Sequence, residues 1–224
     1  MGKLDSLEYG ARRNVVITGF GLFRDHLVNP SWEAIKDNSL KIDRSNVNII
    51  TKQISVAYGE VDRVVSELWE EYNPLLMVHI GLAAHESCIR IEQSARTGPY
   101  LHDDVLKDAP HKHLRVYSPD SRKDDPPYPY TCRPCEFASR STCIDVDKIC
   151  EGMTEALREG RVCIPTKKSN DAGLYVCEYI YQKSLSICDR SVFIHIPGTE
   201  RFKLEDIRAS LKIIVEMLID DLYS

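Results

Sequence analysis

Short apolar runs that stop at glycine or proline alternate along this chain with segments of helical periodicity. Three of these runs are typical of buried strands, namely residues 14–18, 75–81 and 192–196. Between them, apolar side chains recur three or four positions apart in residues 61–72 and 149–157, the spacing of one face of a helix. Residues 207–222 repeat this pattern and predict a long C-terminal helix. Strands that alternate with helices predict a mainly parallel sheet covered on both faces.

Four further segments complete the expected secondary structure. Residues 31–35 follow a proline and predict the first helix. Residues 47–51 and 54–57 favour two strands, and residues 161–164 favour another. Residues 89–92 alternate between apolar and polar side chains, so we expect a strand there that lies beside the strand at 75–81.

The length of 224 residues suits one α/β domain with a sizeable core, so we expect residues 1–224 to form a single domain. We expect residues 1–13 to be a flexible N-terminus. Between residues 101 and 142 the periodicity gives way to charges, prolines and tyrosines, which predicts a surface insertion or flap.

Charge and hydropathy exclude several classes of function. The net charge of −5 provides no basic surface of the kind that nucleic acid needs. No apolar stretch approaches the roughly 20 residues that span a bilayer, and the first thirteen residues lack the apolar part of a secretory signal. We therefore expect a cytoplasmic protein without membrane or nucleic-acid partners. The eight cysteines are then expected to be reduced thiols.

One of these thiols stands where a nucleophile is useful. Cys177 follows a turn of small residues, 169–173, that opens a helix. The N-terminus of a helix carries partial positive charge and free amide donors, which favour a thiolate and can hold an oxyanion. His195 lies near the end of the apolar run that Pro197 stops, so it is expected on a buried strand at the edge where α/β proteins place their chemistry.

Three separated motifs carry a resemblance to a known family. They are residues 18–23 with 28–33, residues 78–81 leading to 91–92, and residues 171–177 with 193–197. In this order they resemble the type I pyroglutamyl peptidases, also called pyrrolidone carboxyl peptidases, which are cysteine peptidases that remove an N-terminal pyroglutamate from peptides. The family usually has proline and glycine where this chain has Leu22 and Arg24.

The resemblance implies a fold and a set of roles. The fold is a single-domain α/β/α sandwich of the phosphorylase/hydrolase-like kind, with a mainly parallel but mixed central sheet. Cys177 is the nucleophile, His195 the general base and acid, and Glu92 the carboxylate that orients the imidazole. Phe20 and Phe23 flank the lactam ring of the substrate. The expected reaction is an omega-exopeptidase cleavage through a thioester, without metal or organic cofactor, in a monomer or a homotetramer.

Other interpretations of the same residues stay open. Cys132 and Cys135, followed by Cys143 and Cys150, have a spacing that invites a zinc site, although a second close pair of thiols is missing. The glycine turn after the first strand resembles a dinucleotide-binding motif, but Arg24 stands at its third glycine position. A family-derived protein that binds peptides without turnover is the alternative function. Taken singly, Cys177 and His195 are each more often core residues.

Overall fold

The computed structural model describes residues 12–22, 28–42, 44–100, 102–108 and 139–223. Several predicted features lie outside the described residues: residues 1–11 of the N-terminal segment, Phe23, the cysteines at 132 and 135, and residues 109–138 of the insertion.

Strands and helices alternate along most of the described chain. The strands are β1 Arg13–Phe20, β2 Val47–Ile54, β3 Leu76–Leu82, β4 Ile89–Glu92, β5 Ser94–Arg96, β6 Ser139–Ser141, β7 Thr166–Ser169 and β8 Ser191–Ile196. The helices are α1 Pro30–Glu33, α2 Tyr58–Tyr72, α3 Val146–Arg158, α4 Val176–Ile187 and α5 Leu204–Tyr223, with a short 3-10 turn at Lys36–Asn38.

Six of the strands form one mixed sheet in the order β2-β1-β3-β8-β4-β7. The first four of these strands are parallel to one another, whereas β4 runs antiparallel to β8 and parallel to β7. Strands β5 and β6 form a separate antiparallel ribbon. The predicted α/β fold with a mainly parallel, mixed central sheet is confirmed.

Three details of the predicted strands are wrong. Of the two strands expected at 47–51 and 54–57, one forms: β2 ends at Ile54, and residues 55–57 are not in a strand. Strand β4 does not lie beside β3, because β8 is inserted between them. Residues 161–164 are not a strand, although Val162 and Ile164 are buried there. The strand is β7, whose sequence Thr-Lys-Lys-Ser is polar because β7 is an edge strand and is only partly covered.

The sheet separates two apolar clusters. One cluster joins the sheet to α1, α3 and α5, and the other joins it to α2 and α4. Successive side chains of a strand point to opposite faces, so Ile89 and Ile91 face the first cluster while Arg90 and Glu92 face the second. The chain is thus a sandwich of helices, sheet and helices, with the polar residues of β4 on the side of α2 and α4.

Among the described residues, none of the helices combines the length and the apolar character that crossing a membrane requires.

Candidate active site

A buried histidine and a buried carboxylate meet where β8 and β4 run side by side. The antiparallel register places Arg90 opposite His195 and Glu92 opposite Phe193. The Nδ1 atom of His195 lies 2.8 Å from Oε1 of Glu92, and the two residues are 4% and 0% exposed. Because an ionised carboxylate only accepts hydrogen bonds, Nδ1 carries the proton and donates it. The other ring nitrogen, Nε2, is then free to accept a proton.

A guanidinium adjoins this pair. Nη2 of Arg90 lies 3.3 Å from Nδ1 of His195, and its Nε lies 3.4 Å from Oε1 of Glu92. Its Nη1 donates to Oε1 of Glu86 at 3.1 Å. The sequence motifs did not single out Arg90, although the alternation along β4 placed it on the same face as Glu92.

Cys177 lies on this face of the sheet as the second residue of α4. Its sulfur is close to Gly81 of β3, because a Cβ atom built on Gly81 would be 3.1 Å from Sγ of Cys177 and 2.7 Å from the ring of Phe193. Gly81 is the register partner of His195. Because Gly81 has no side chain, the Cys177 sulfur fits against β3 at the position that pairs with His195 of β8.

The environment of the thiol differs from the expected one. Burial, with a further contribution from the Glu92 carboxylate, raises the pKa of Cys177 to about 12, and Arg90 opposes this only in part. Burial therefore opposes the stabilisation of a thiolate that we expect from the start of the helix. Such a thiol reacts only when a base removes its proton during the attack.

Contacts with β5, with the turn before the helix and with β4 fix the start of α4. Glu178, which follows Cys177 and is fully buried, accepts hydrogen bonds from the backbone N–H of Arg96 at 3.0 Å and from its Nε at 2.9 Å and Nη2 at 3.0 Å. Arg96 also binds Asp171 in the turn before the helix. The hydroxyl of Tyr181 donates to the backbone carbonyl of Glu92 at 2.8 Å. The sequence predicts neither the Arg96–Glu178 pair nor the contact of Tyr181 with β4.

The loop after β1 is held by the motif that begins at Asn29. The side-chain amide of Asn29 donates to the carbonyl of Gly21 at 2.9 Å, and the backbone N–H of Phe20 donates to Oγ of Ser31, also at 2.9 Å. Gly19 permits this contact, since a Cβ there would lie 2.5 Å from the Ser31 carbonyl. Phe20 is buried in the cluster against which Cys177 packs, on the same face of the sheet.

A cavity of about 750 Å³ opens beside the start of α4. Leu22, Tyr175 and residues of the 102–107 segment line it. The buried carboxylate of Asp104 holds this segment in place, because it accepts the backbone N–H of Tyr58 at 2.9 Å at the start of α2. Tyr175 precedes Cys177 by two residues, so the cavity adjoins the thiol's helix.

The described cysteines, six in number, are free thiols. Within the described part of the chain, no three histidine, cysteine or acidic residues are grouped as metal ligands are. The close pair at Cys132 and Cys135 lies outside that part.

Comparison with known proteins gives a consistent result. A family model described as pyroglutamyl peptidase matches residues 13–117. Pyroglutamyl-peptidase 1 of Homo sapiens is 29% identical over 211 residues, which cover 93% of this chain and 91% of the human protein. Pyrrolidone-carboxylate peptidase of Thermococcus kodakarensis is 28% identical over 223 residues, which cover 93% of this chain and 97% of that protein.

Solved structures show the same fold. A variant of pyrrolidone carboxyl peptidase from Pyrococcus furiosus superposes with a TM-score of 0.71 at 23% identity, covering 93% of this chain and 99% of that chain. Pyroglutamyl peptidase I from Bacillus amyloliquefaciens gives a TM-score of 0.70 at 21% identity, covering 95% of this chain and 98% of that chain. The family model ends before Cys177 and His195, whereas the relatives span nearly the whole chain.

Proposed function

Because the chain belongs to the pyroglutamyl peptidase family, we propose that it is a cysteine omega-peptidase that hydrolyses the bond after an N-terminal pyroglutamate. The family predicted from the sequence motifs is confirmed. One observation above all supports the proposed chemistry: the Cys177 sulfur lies against Gly81, the register partner of His195, whose Nδ1 is 2.8 Å from the Glu92 carboxylate.

In the proposed reaction, His195 first acts as a base. Its Nε2 takes the proton of the Cys177 thiol while the sulfur attacks the carbonyl carbon of the pyroglutamyl residue. The imidazolium then gives this proton to the departing amine, which leaves with the rest of the peptide and a pyroglutamyl thioester remains. A water molecule, deprotonated by the imidazole, attacks the thioester and releases pyroglutamate and the thiol.

The raised pKa of Cys177 supports a concerted proton transfer and attack. A thiol with a pKa of about 12 remains protonated at neutral pH, so proton transfer to the imidazole accompanies the attack rather than preceding it. Glu92 serves this step because its carboxylate stabilises the imidazolium that forms.

The start of α4 offers donors for the negative oxygen of the intermediate. The first backbone hydrogen bond within the helix runs from the N–H of Tyr179 to the carbonyl of Tyr175. The N–H of Cys177 therefore has no acceptor within the helix. We assign this N–H to the oxyanion, where one preorganised donor contributes about 10²-fold or more to the rate.

The lactam ring is neutral, so its pocket requires apolar walls. We propose that Phe20 and Phe23 supply them, and that the peptide enters through the cavity beside Tyr175. A pocket without an anionic group also disfavours an ordinary charged N-terminus, because burying an unpaired ammonium costs several kcal/mol.

We further propose that the protein is cytoplasmic and needs no cofactor. Free thiols at the described cysteines fit a reducing compartment. The partners are pyroglutamyl peptides, and the proposed mechanism is complete within one chain, whether the protein is a monomer or a homotetramer.

A pyroglutamyl arylamide and the matching prolyl arylamide test this function directly. We expect release of the arylamine from the pyroglutamyl compound under reducing conditions, and little from the prolyl compound. Cys177→Ser should abolish release, whereas Cys188→Ser, at the other end of the same helix, should retain it.

Three results would contradict the proposal. If the folded protein binds a pyroglutamyl peptide but releases no arylamine, it is the non-catalytic binding protein considered as the alternative. If Cys177→Ser keeps full activity, the nucleophile is another residue. Loss of activity with a chelator would instead favour a metal-dependent reaction.

A further inference from the structure

The Glu92 carboxylate is buried, and few hydrogen bonds replace those that water would make to its two oxygens. It is fully buried, its Oε1 accepts one hydrogen bond from His195, and its Oε2 has no hydrogen-bond partner among the described residues. A buried carboxylate of this kind tends to take up a proton unless a positive charge is close. The neighbouring charge is the guanidinium of Arg90, whose Nε lies 3.4 Å from Oε1.

The same guanidinium also faces His195. Its Nη2 is 3.3 Å from Nδ1 of the imidazole. A guanidinium has only donors, so it binds Nδ1 only if that nitrogen has lost its proton. While Nδ1 donates to Glu92, the Arg90 contact therefore acts on the ring as a nearby positive charge and not as a hydrogen bond.

We propose that Arg90 is a positioning residue that keeps Glu92 ionised and offsets the attraction of this carboxylate for the imidazolium of His195. In the reaction proposed above, on which this role depends, the consequence is an imidazole that stays neutral, and able to accept the thiol proton, at lower pH. A lone buried carboxylate would hold the imidazolium and so delay its deprotonation.

The charges around His195 form an alternating series. Beyond Arg90, Glu86 accepts from its Nη1 at 3.1 Å, and Lys167 of β7 lies 3.5 Å from Glu86. The imidazole contacts Glu92 and Arg90 of β4. Cys177 of α4 interacts with the charges of this same pair, whereas Glu86, in the loop after β3, contacts Arg90, and Lys167 of β7 contacts Glu86. Among them, Arg90 is the cation within 4 Å of Nδ1.

The test follows the protonation of His195 in two ways: by NMR in the absence of substrate, and through the pH dependence of turnover. The full-length protein, labelled with ¹³C at Cε1 of its histidines, is titrated by NMR, and the His195 signal is identified by its loss in His195→Gln. In parallel, kcat/KM for a pyroglutamyl arylamide is measured against pH. For Arg90→Gln we expect the NMR midpoint and the acidic limb of kcat/KM to move upward by about one pH unit.

The sign of this shift does not depend on which atom holds the shared proton. Removing a positive charge beside the Glu92–His195 pair destabilises its deprotonated form, so the proton leaves at higher pH. Glu86→Gln removes a negative charge beyond Arg90 and should move the midpoint downward. Arg90→Lys keeps the charge and should restore most of the parent midpoint.

Lys167→Gln is the matched control, since Lys167 is the register partner of Arg90 on β7 but contacts only Glu86 of this group. Its side chain is half-exposed and screened by solvent, so we expect less than about one third of the Arg90→Gln shift. The role of Arg90 is refuted if Arg90→Gln titrates like the parent, if Arg90→Lys behaves like Arg90→Gln, or if Lys167→Gln gives the same shift.

The two proposals fail separately. If the parent hydrolyses no pyroglutamyl substrate, the proposed function is refuted. If the NMR midpoint of Arg90→Gln still moves upward in that case, the coupling of Arg90 to His195 is supported. Normal hydrolysis with an unchanged midpoint overturns the role of Arg90 alone. Should Arg90→Gln fail to fold, the downward shift expected for Glu86→Gln decides the matter.

Discussion

The buried His79 should make the fold sensitive to acid. His79 lies in β3 and is fully buried, its Nδ1 shares a hydrogen bond of 2.8 Å with Oγ1 of Thr18, and its Nε2 has no hydrogen-bond partner among the described residues. Burial lowers the pKa of His79 from 6.5 to about 3. The native chain therefore keeps this ring neutral at pH values where an unfolded chain would protonate it.

The magnitude follows from the difference between the two pKa values. Below pH 6.5 the unfolded state binds a proton at His79 that the folded state does not, so the free energy of unfolding falls as the pH falls. Each pH unit costs about 1.4 kcal/mol, until the folded ring itself protonates near pH 3. At pH 4.5 the loss due to this one group is about 3 kcal/mol, a large part of the stability of an ordinary domain.

Urea unfolding of the parent and of His79→Gln between pH 7.5 and 4.5 measures this loss. The buried indole of Trp69 donates to Ser184 in α4 at 3.0 Å, so tryptophan emission reports the packing of the fold. We expect the parent to lose about 3 kcal/mol more than His79→Gln over this range. His85→Gln, at an exposed position, is the control and should behave like the parent. Equal pH dependence in the parent and His79→Gln would refute the reasoning.

Three further predictions concern the site. Gly81→Ala puts a methyl group 3.1 Å from the Cys177 sulfur and 2.7 Å from the Phe193 ring, so it should reduce kcat/KM by about 10²-fold. The control Gly160→Ala, with a φ of +72° and open space around it, should cost about 1 kcal/mol of stability and leave turnover intact. Arg96→Met leaves the Glu178 carboxylate buried without its counter-charge, so urea unfolding should show that the free energy of unfolding falls by about 3 kcal/mol. The double variant with Glu178→Met should be more stable than Arg96→Met alone. Glu92→Gln should lower kcat/KM by about 10³-fold, and unchanged kinetics would show that another group orients the imidazole.

The sequence predicts those parts of the fold whose periodicity reflects burial. Helix α2 and strand β8 are predicted directly from the spacing of apolar residues, because one face of α2 and both faces of β8 are buried. The run at 161–164 misleads because Val162 and Ile164 are buried without joining the sheet, while the polar edge strand after them has no apolar pattern. Burial, and not strand formation, is what such a run encodes.

The site divides in a similar way. Cys177 and His195 stand out in the sequence because their residue types and neighbouring motifs indicate chemistry, whereas the role of Glu92 follows only from the resemblance to the family. No role for Gly81 or Arg90 is predicted, because the importance of these residues arises from the register between strands that are far apart in the chain. The insertion of β8 between β3 and β4 creates that register, and no local pattern specifies the order of strands in a sheet.

The partition of the core by the sheet has a consequence for how this protein tolerates change. Cys177, His195 and Glu92 share one layer with α2 and α4, whereas α3 and α5 pack behind the sheet. Substitutions in that rear layer reach the chemistry only through the strands themselves, so the rear layer is where sequence drift and stabilising engineering can accumulate without disturbing catalysis.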